Sequence, residues 1–427
     1  MECPSPFVIV RAVRTRAFIA SFAFLIACGS EGEGLDPAPT SDSGVNTAND
    51  SGTPASDSGV GGPDAGSVDA TPTDTGVVVD PPGELTLPPI TTGPNGDSTD
   101  VTFELPAGVV SFMIVLEGPA DVTMIVKRLS GPGGVLVTDD DSALTQLERL
   151  FLGPWGAQFK SPNRVVQDIG ISASLFPNNP GVNVSGGSYT LVASAVRIQG
   201  QNGNPYQGTL SGKVHYRMAQ ASAGRLDVHL YFSGAGNLTA ASAPTDALVQ
   251  GALQKLGTVY GQANLTVGNV DYHDVDASFR TISGIDGSSD QLERMFRLTE
   301  GRGAGLHYFF VDRFEGGLPG GMVAGISGGL PGPPLRPGTN NSGVAVALAA
   351  INGDPEILGH VMAHEGGHWL GLFHTAEFIG TQDQLSDTPS DQGAGQNYLM
   401  YPAVGGGTMV SPSQGTVVRH HLEVVGG

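Results

Sequence analysis

The stretch HEGGHWLGLFH, from His364 to His374, constrains this chain more than any other. It sets His364, Glu365, His368, Gly371 and His374 in the order H-E-x-x-H-x-x-G-x-x-H. Residues four apart share one face of a helix, so His364 and His368 can aim two imidazoles at one point, about a turn apart. Glu365 stands next to the first imidazole, at the mouth of the site. Gly371 is where the helix is expected to stop, because glycine accepts the left-handed conformation that ends helices. The chain then bends and returns His374 as a third ring. Three imidazoles and one open corner form the donor set of a catalytic zinc, whereas structural zinc usually takes four protein ligands. A core helix that carries histidines by coincidence is disfavoured by five fixed positions. A zinc site without catalysis is disfavoured by Glu365.

A second signal is Asn397-Tyr398-Leu399-Met400-Tyr401-Pro402, whose Met400 lies 26 residues beyond His374. The long histidine motif followed by this turn resembles the metzincin metalloproteases. That resemblance implies Zn2+ held by His364, His368 and His374, with Glu365 as the general base that takes a proton from the attacking water. It implies Met400 as an apolar floor under the imidazoles, and a protein or peptide substrate. The run HWLGLFHT, with Thr375 after the third histidine, and Asp387-Thr388-Pro389 before the turn resemble the pappalysin/cytophagalysin group most. LMYP by itself resembles the matrixin turn. By the same resemblance Asp387 helps fix the loop leading to the turn. The region of Asp383, Asp387 and Asp391 holds calcium in some relatives of that group, so Ca2+ is a second candidate ion, with capping of turns as the alternative. Metzincins that use a tyrosine ligand place it one residue later than Tyr401, which is therefore left out of the catalytic set. The resemblance is specific over about 359–412 and general upstream to about 212.

The elements before the motif read as strand, helix, strand, short helix, strand, strand, zinc helix. Leu226-Asp227-Val228-His229-Leu230-Tyr231-Phe232 alternates, and residues 245–261 carry helical periodicity after Pro244. Residues 305–314 and 343–350 read as buried strands. Asp354-Pro355 opens the zinc helix, with Asp as N-cap and Pro at the first helical position. This order resembles a metzincin upper subdomain. The strand before the zinc helix is expected to be the sheet edge on which an extended substrate pairs, through Val344, Val346 and Leu348. The Gly/Pro-rich residues 316–338 read as a long loop that shapes access to the cleft. Ser411-Pro412-Ser413-Gln414 starts a last helix. His360 lies one turn before His364 on the same face and is read as neither ligand nor support. His420 and His421 are read as surface residues.

Upstream, residues 83–218 carry short β-type runs, such as Val101-Thr102-Phe103-Glu104-Leu105, punctuated by Gly, Pro and Asn, as in a β-sandwich. Its FELPAG and GGSYTLVAS segments resemble the pre-peptidase C-terminal domain of secreted bacterial proteases. Asp139-Asp140-Asp141 reads as a solvated turn rather than a calcium loop. Residues 28–82 are mostly Gly, Ser, Asp, Thr, Pro and Ala with no Lys or Arg, too poor in apolar surface to offset the entropy of ordering. Arg11, Arg14 and Arg16 precede a short apolar run that ends Leu25-Ile26-Ala27-Cys28-Gly29. This resembles a bacterial lipobox, which implies cleavage after residue 27, a lipid anchor on Cys28 and, with Gly29 following, an outer-membrane lipoprotein exposed at the cell surface. An ordinary signal peptide and a secreted protein is the alternative.

The fold class is thus expected to be multidomain: a signal peptide over 1–27, an acidic linker over 28–82, a β-sandwich over 83–218, and an α/β (α+β) metzincin-like catalytic domain over 219–427 with a mixed sheet and a zinc helix. A formal net charge of −21 argues against nucleic-acid binding, which needs a basic face. The two cysteines, Cys3 and Cys28, leave no disulfide framework in a mature chain. The sequence sets no oligomeric state. The function that follows is a surface-tethered or secreted zinc metalloendopeptidase. The alternative from a different class is a surface binding protein that keeps this scaffold without catalysis.

Overall fold

A computed structural model describes residues 82–426, apart from positions 147, 150–152, 200–201, 221, 286, 317–322, 377–381 and 404–405. The expected signal peptide, Cys28 and all of the acidic linker but Pro82 lie outside the described residues. The described residues belong to a single compact unit. None of their helices is long and apolar enough to cross a membrane.

Nine strands build most of the first half: β1 (Gly83–Thr86), β2 (Val101–Leu105), β3 (Ser111–Glu117), β4 (Val122–Gly131), β5 (Gly134–Val137), β6 (Ile171–Phe176), β7 (Gly187–Gln199), β8 (Asn202–Pro205) and β9 (Gly208–Arg217). They form two antiparallel sheets, one in the order β1-β9-β3-β6 and the other β8-β7-β4-β5, with β2 on β7. The strand β2 alternates buried and exposed residues, as a strand with one dry face should. In β3 the run from Phe112 to Leu116 is buried throughout, so both faces are dry. Phe112, Ile114 and Leu116 point between the two sheets, among Phe103, Leu129, Tyr189 and Leu191. Met113 and Val115 point the other way. They join Ile171, Ala173 and Leu175 of β6 in a second core shared with the rest of the chain. Each such side chain contributes about 1.5–3 kcal/mol on full burial, so this outer face is held as firmly as an ordinary core.

The second half packs on that face. Its elements are β10 (Gly224–Phe232), α1 (Ala247–Gly261), β11 (Leu265–Asp274), α2 (Gln291–Phe296), β12 (Leu306–Val311), β13 (Gly325–Ser327), β14 (Val344–Ala347), α3 (Pro355–Trp369) and α4 (Pro412–His420). The sheet runs β11-β10-β12-β14-β13. The first four strands are parallel and β13 is antiparallel to β14. Parallel strands are covered on both faces and read as continuous apolar runs, which is why Leu306-His307-Tyr308-Phe309-Phe310-Val311 is buried at every position. The helix α1 starts where Asp246 accepts from the amides of Leu248 and Val249, and it buries Val249, Ala252, Leu256, Val259 and Tyr260. It crosses α3 closely: a Cβ on Gly359 would stand 2.5 Å from Lys255 Cβ and 2.6 Å from Ala252 O.

Two expectations are corrected here. The strand before the zinc helix ends at Ala347, and Leu348 begins a 3-10 turn, Leu348–Ala350. Moreover β14 is interior. The edge among the described residues is β13, inside the stretch that reads as a Gly/Pro-rich loop, so Val344 and Val346 are fully buried and offer no edge. His420 and His421 are buried, not surface residues. His420 Nδ1–H donates to Pro177 O at 3.1 Å, and His421 Nε2 lies 3.2 Å from Gly332 O with its ring 4.7 Å from that of Trp369. Burial holds both imidazoles well below their usual pKa, to about 4 and about 3.

A buried cation helps pin the halves together. Arg217, at the end of β9, donates from Nη2 to the carbonyls of His421 and Leu422, each at 3.1 Å, and also meets Val424 O. Replacing it by Met, which keeps the length without the donors, should orphan these carbonyls and destabilise the chain by about 2–4 kcal/mol. The urea midpoint reads this, and an unmoved midpoint would show that the C-terminal segment is held by packing alone.

Candidate metal centre

The zinc helix forms where its ends are capped. Asp354 accepts from the amides of Glu356 and Ile357, and Pro355 occupies the first helical position. At the other end Gly371 has φ +104°, its amide donates to His368 O at 2.8 Å, and Leu372 N donates to Gly367 O at 2.9 Å. A side chain at Gly371 would be strained by that φ and would press Leu175 Cδ2 at 2.9 Å. This stop turns the chain and carries His374 back beside the helix.

His364, His368 and His374 converge, with one ligand atom from each within 4.8 Å of the others. His364 is fully buried, and His368 and His374 are 2% and 5% exposed. His368 Nε2 and His374 Nε2 are 3.1 Å apart. Two ligands 2.0–2.1 Å from a tetrahedral ion stand about 3.3 Å apart, so the pair is close to that spacing. Main-chain carbonyls orient two of the rings: His364 Nδ1–H donates to Leu399 O and His368 Nδ1–H to Leu372 O, both at 2.7 Å. A carbonyl only accepts, so these bonds fix the tautomer and leave Nε2 with its lone pair facing inward. His364 Nε2 has no hydrogen-bond partner. Burial first, then the neighbouring His368 and His374, push His364 well below the usual imidazole pKa and keep it in the neutral form that binds metal.

Glu365 is fully buried, and neither carboxylate oxygen has a partner at full hydrogen-bond geometry, though the main-chain amide of Ser327 on β13 lies near enough to favour the charged form. Leaving such groups unsatisfied costs about 1–3 kcal/mol each, and more for a charge. Burial raises its pKa well above the usual carboxylate range. The edge strand passes close by: a Cβ on Gly325 would stand 2.5 Å from Glu365 Cγ and 2.9 Å from Oε1. A bare, buried His364 Nε2 beside two further imidazoles fits a divalent ion, and the three-imidazole donor set suits zinc.

The turn at Met400 lies against the same helix. Met400 is fully buried, and a Cβ on Gly367 would meet its sulfur at 2.9 Å, so the missing side chain makes room for the thioether. Leu399 O holds His364, and Met400 O accepts from Thr375 N at 3.0 Å, directly after His374. One turn thus braces both ends of the triad. Asp387 braces the next element: it accepts from Ser411 Oγ and Ser413 N, both at 2.9 Å, at the start of α4, where Ser411 and Gln414 make a capping box.

The three aspartates do not gather round an ion. Asp383 accepts from Thr388 Oγ1 at 2.5 Å and from Leu385 N, and Asp391 caps Ala394 N at 2.8 Å. Among the described residues the only groupings of three metal-capable side chains are the histidine triad and one on β10 and β11. The expected calcium reading therefore yields to turn-capping. His360 is buried and stands outside the triad. Tyr260 and Tyr308, which the sequence does not single out, hold α3 by donating to Ala363 O at 3.3 Å and Met362 O at 2.9 Å. Their signal was only that of apolar-patterned core positions.

No family model matches the chain. It is 32% identical over 106 residues to extracellular metalloprotease 1 of Coccidioides posadasii (strain C735), which covers 24% of this chain and 37% of that protein. The chain thus spans little more than a third of the curated relative it matches. Among solved structures, metalloproteinase-II from Bacteroides fragilis aligns with 47% of this chain and 58% of its own at 13% identity and a TM-score of 0.28. A family two carbohydrate esterase from Clostridium thermocellum aligns with 54% and 65% at 8% identity and a TM-score of 0.14. At such scores neither alignment bears on fold or activity.

If Met400 is the floor of the histidine cluster, Met400→Ala should cost about 2–5 kcal/mol. The volume-conserving Met400→Leu should cost less than about 1.5 kcal/mol. Thermal unfolding of the two variants compares them, and equal stability would remove the floor from the account.

Proposed function

We propose that this chain is a zinc-dependent endopeptidase of the metzincin type. The observation that carries the reading is the convergence of three buried imidazoles, with a buried carboxylate on the residue after the first. His364, His368 and His374 would hold the ion. When bound, zinc supplies acidity to a water and polarises a carbonyl. Glu365 takes the proton of the attacking water and passes it to the leaving amine. Burial raises its affinity for a proton, the direction that taking one from water requires. The partial likeness to an extracellular metalloprotease supports a peptidase that works outside the cytoplasm. A tether through Cys28 on an outer membrane, with the folded part at the cell surface, belongs to the same proposal and rests on the Leu25–Gly29 sequence.

An extended peptide substrate would add to the free edge of β13, at Gly325–Ser327, rather than to Val344, Val346 and Leu348. Main-chain pairing there would bring a scissile bond past Glu365, and the bare α-carbon of Gly325 leaves room for the carboxylate.

Glu365→Ala should keep its zinc and lose peptidase activity on an unfolded protein by about a hundredfold or more. Metal analysis and a cleavage assay, with chelator as control, decide this, and full activity would remove Glu365 as the base. Gly325→Ala should also lower activity while zinc content stays, because the added methyl displaces the Glu365 side chain. An unaffected rate would place the substrate elsewhere.

A further inference from the structure

The face of the mixed sheet turned away from α3 carries a second cluster. In β10, Leu226, Val228, Leu230 and Phe232 join the core with α1 and α3, so His229 and Tyr231 point to the opposite face. In the neighbouring parallel strand, Asp271 is the register partner of His229, and His273 that of Tyr231. One ligand atom from each of His229, Asp271 and His273 lies within 4.8 Å of the others. None of the three belongs to the site described above.

The tautomer of His229 decides what fits there. Its Nε2–H donates to Ala304 O at 3.2 Å. A neutral ring then has a bare Nδ1, and that atom is buried with no hydrogen bond, 3.3 Å from Asp271 Oδ2. Two acceptors facing each other repel unless a positive charge sits between or beside them. His273 Nε2 is likewise buried without a partner. His307, whose ring stacks on His229 at 4.6 Å, is already engaged with Tyr231 Oη at 2.9 Å and supplies no charge to the pair. His229 is 5% exposed, whereas the Asp271 side chain is 58% exposed, so the site has a fixed inner ligand and an outer one that can swing. Ligands of one tetrahedral ion stand about 3.3 Å apart, the spacing His229 Nδ1 and Asp271 Oδ2 already have, so the set closes when the His273 ring moves in by at most about 1.5 Å.

We propose that His229, Asp271 and His273 form a second site for a divalent transition metal of the zinc or copper class, which clamps β10 to β11. Two imidazoles and a carboxylate suit such ions and not calcium or magnesium, which take oxygen ligands. The clamp falls just after the register shift between Leu226 and Val228, where the strand pairing is irregular. Binding to the folded chain alone stabilises it by mass action. The exposed Arg302 guanidinium acts on His273 with like charge and opposes the ion.

The test is equilibrium dialysis of the full chain against Zn2+ at neutral pH with elemental analysis. The wild type should hold two equivalents, and Asp271→Asn and His273→Gln, both at solvent-reached positions, should each hold one. Arg302→Gln should tighten the second equivalent, and His368→Ala should lose only the other. A single equivalent in the wild type that vanishes in His368→Ala overturns the second site, pairs His229 with Asp271 through a proton, and leaves the peptidase reading standing. Two equivalents retained by His273→Gln overturn it as adventitious binding. A single equivalent lost in His273→Gln but kept in His368→Ala would uphold this site and sink the zinc-peptidase reading.

Discussion

Two hydrogen bonds from imidazole Nδ1 to main-chain carbonyls hold the rest of the site in place. Without Leu399 O and Leu372 O, His364 and His368 would be free to choose tautomer and rotamer, and a helix face alone would not aim two lone pairs at one point. Each acceptor lies on a segment that has its own reason to be there. Leu372 O follows the left-handed glycine that ends the helix. Leu399 O belongs to a turn that reaches the helix only because Gly367 has no side chain to obstruct Met400. The ligand geometry is therefore a consequence of backbone path, and two glycines set that path.

Beneath this, the sandwich acts as a wall. Because β3 and β6 are buried on both faces, the sheet they belong to has no solvent side in its middle, and its outer residues meet the end of the zinc helix. The contact of Leu175 with Gly371 places a sandwich residue against the turn that returns His374. Pairing in two directions of burial makes the first half part of the support of the site. Arg217 adds direction to this junction, together with His420 on Pro177 O and Asn341 on Ile171 O.

What the sequence made legible was local. The spacing of the histidines, Asp354-Pro355 at one helix start and Ser411 with Gln414 at another depend on residues three or four apart, and the structure uses each at those positions. What it hid depends on partners far along the chain. The edge strand β13 is three residues with no alternation to read, and it is a strand only because Val344–Ala347 runs beside it. His420 and His421 look like surface residues because their carbonyl acceptors, Pro177 O and Gly332 O, are 243 and 89 residues away. The aspartates at 383, 387 and 391 invite an ion by their spacing, yet each accepts from amide or hydroxyl donors, and the one buried oxygen left without a donor, Asp383 Oδ2, has no second carboxylate grouped with it.

The same contrast separates the two histidine clusters. At the triad, four residues of helix fix two ligands, so a motif records the site. On β10 and β11 the ligands are paired across parallel strands, and the distance between His229 and Asp271 in sequence is set by the length of the α1 crossover rather than by the chemistry. A helix writes its ligands at a fixed interval, whereas a parallel sheet brings them together through register, which leaves no spacing in the sequence to recognise. Buried nitrogens that lack a partner are the trace that both kinds of site leave in a folded chain. That trace separates His229 and His364 from His420 and His421, whose polar atoms meet carbonyls, and convergence with two further ligands separates them from His215 and His360, whose Nε2 is also bare.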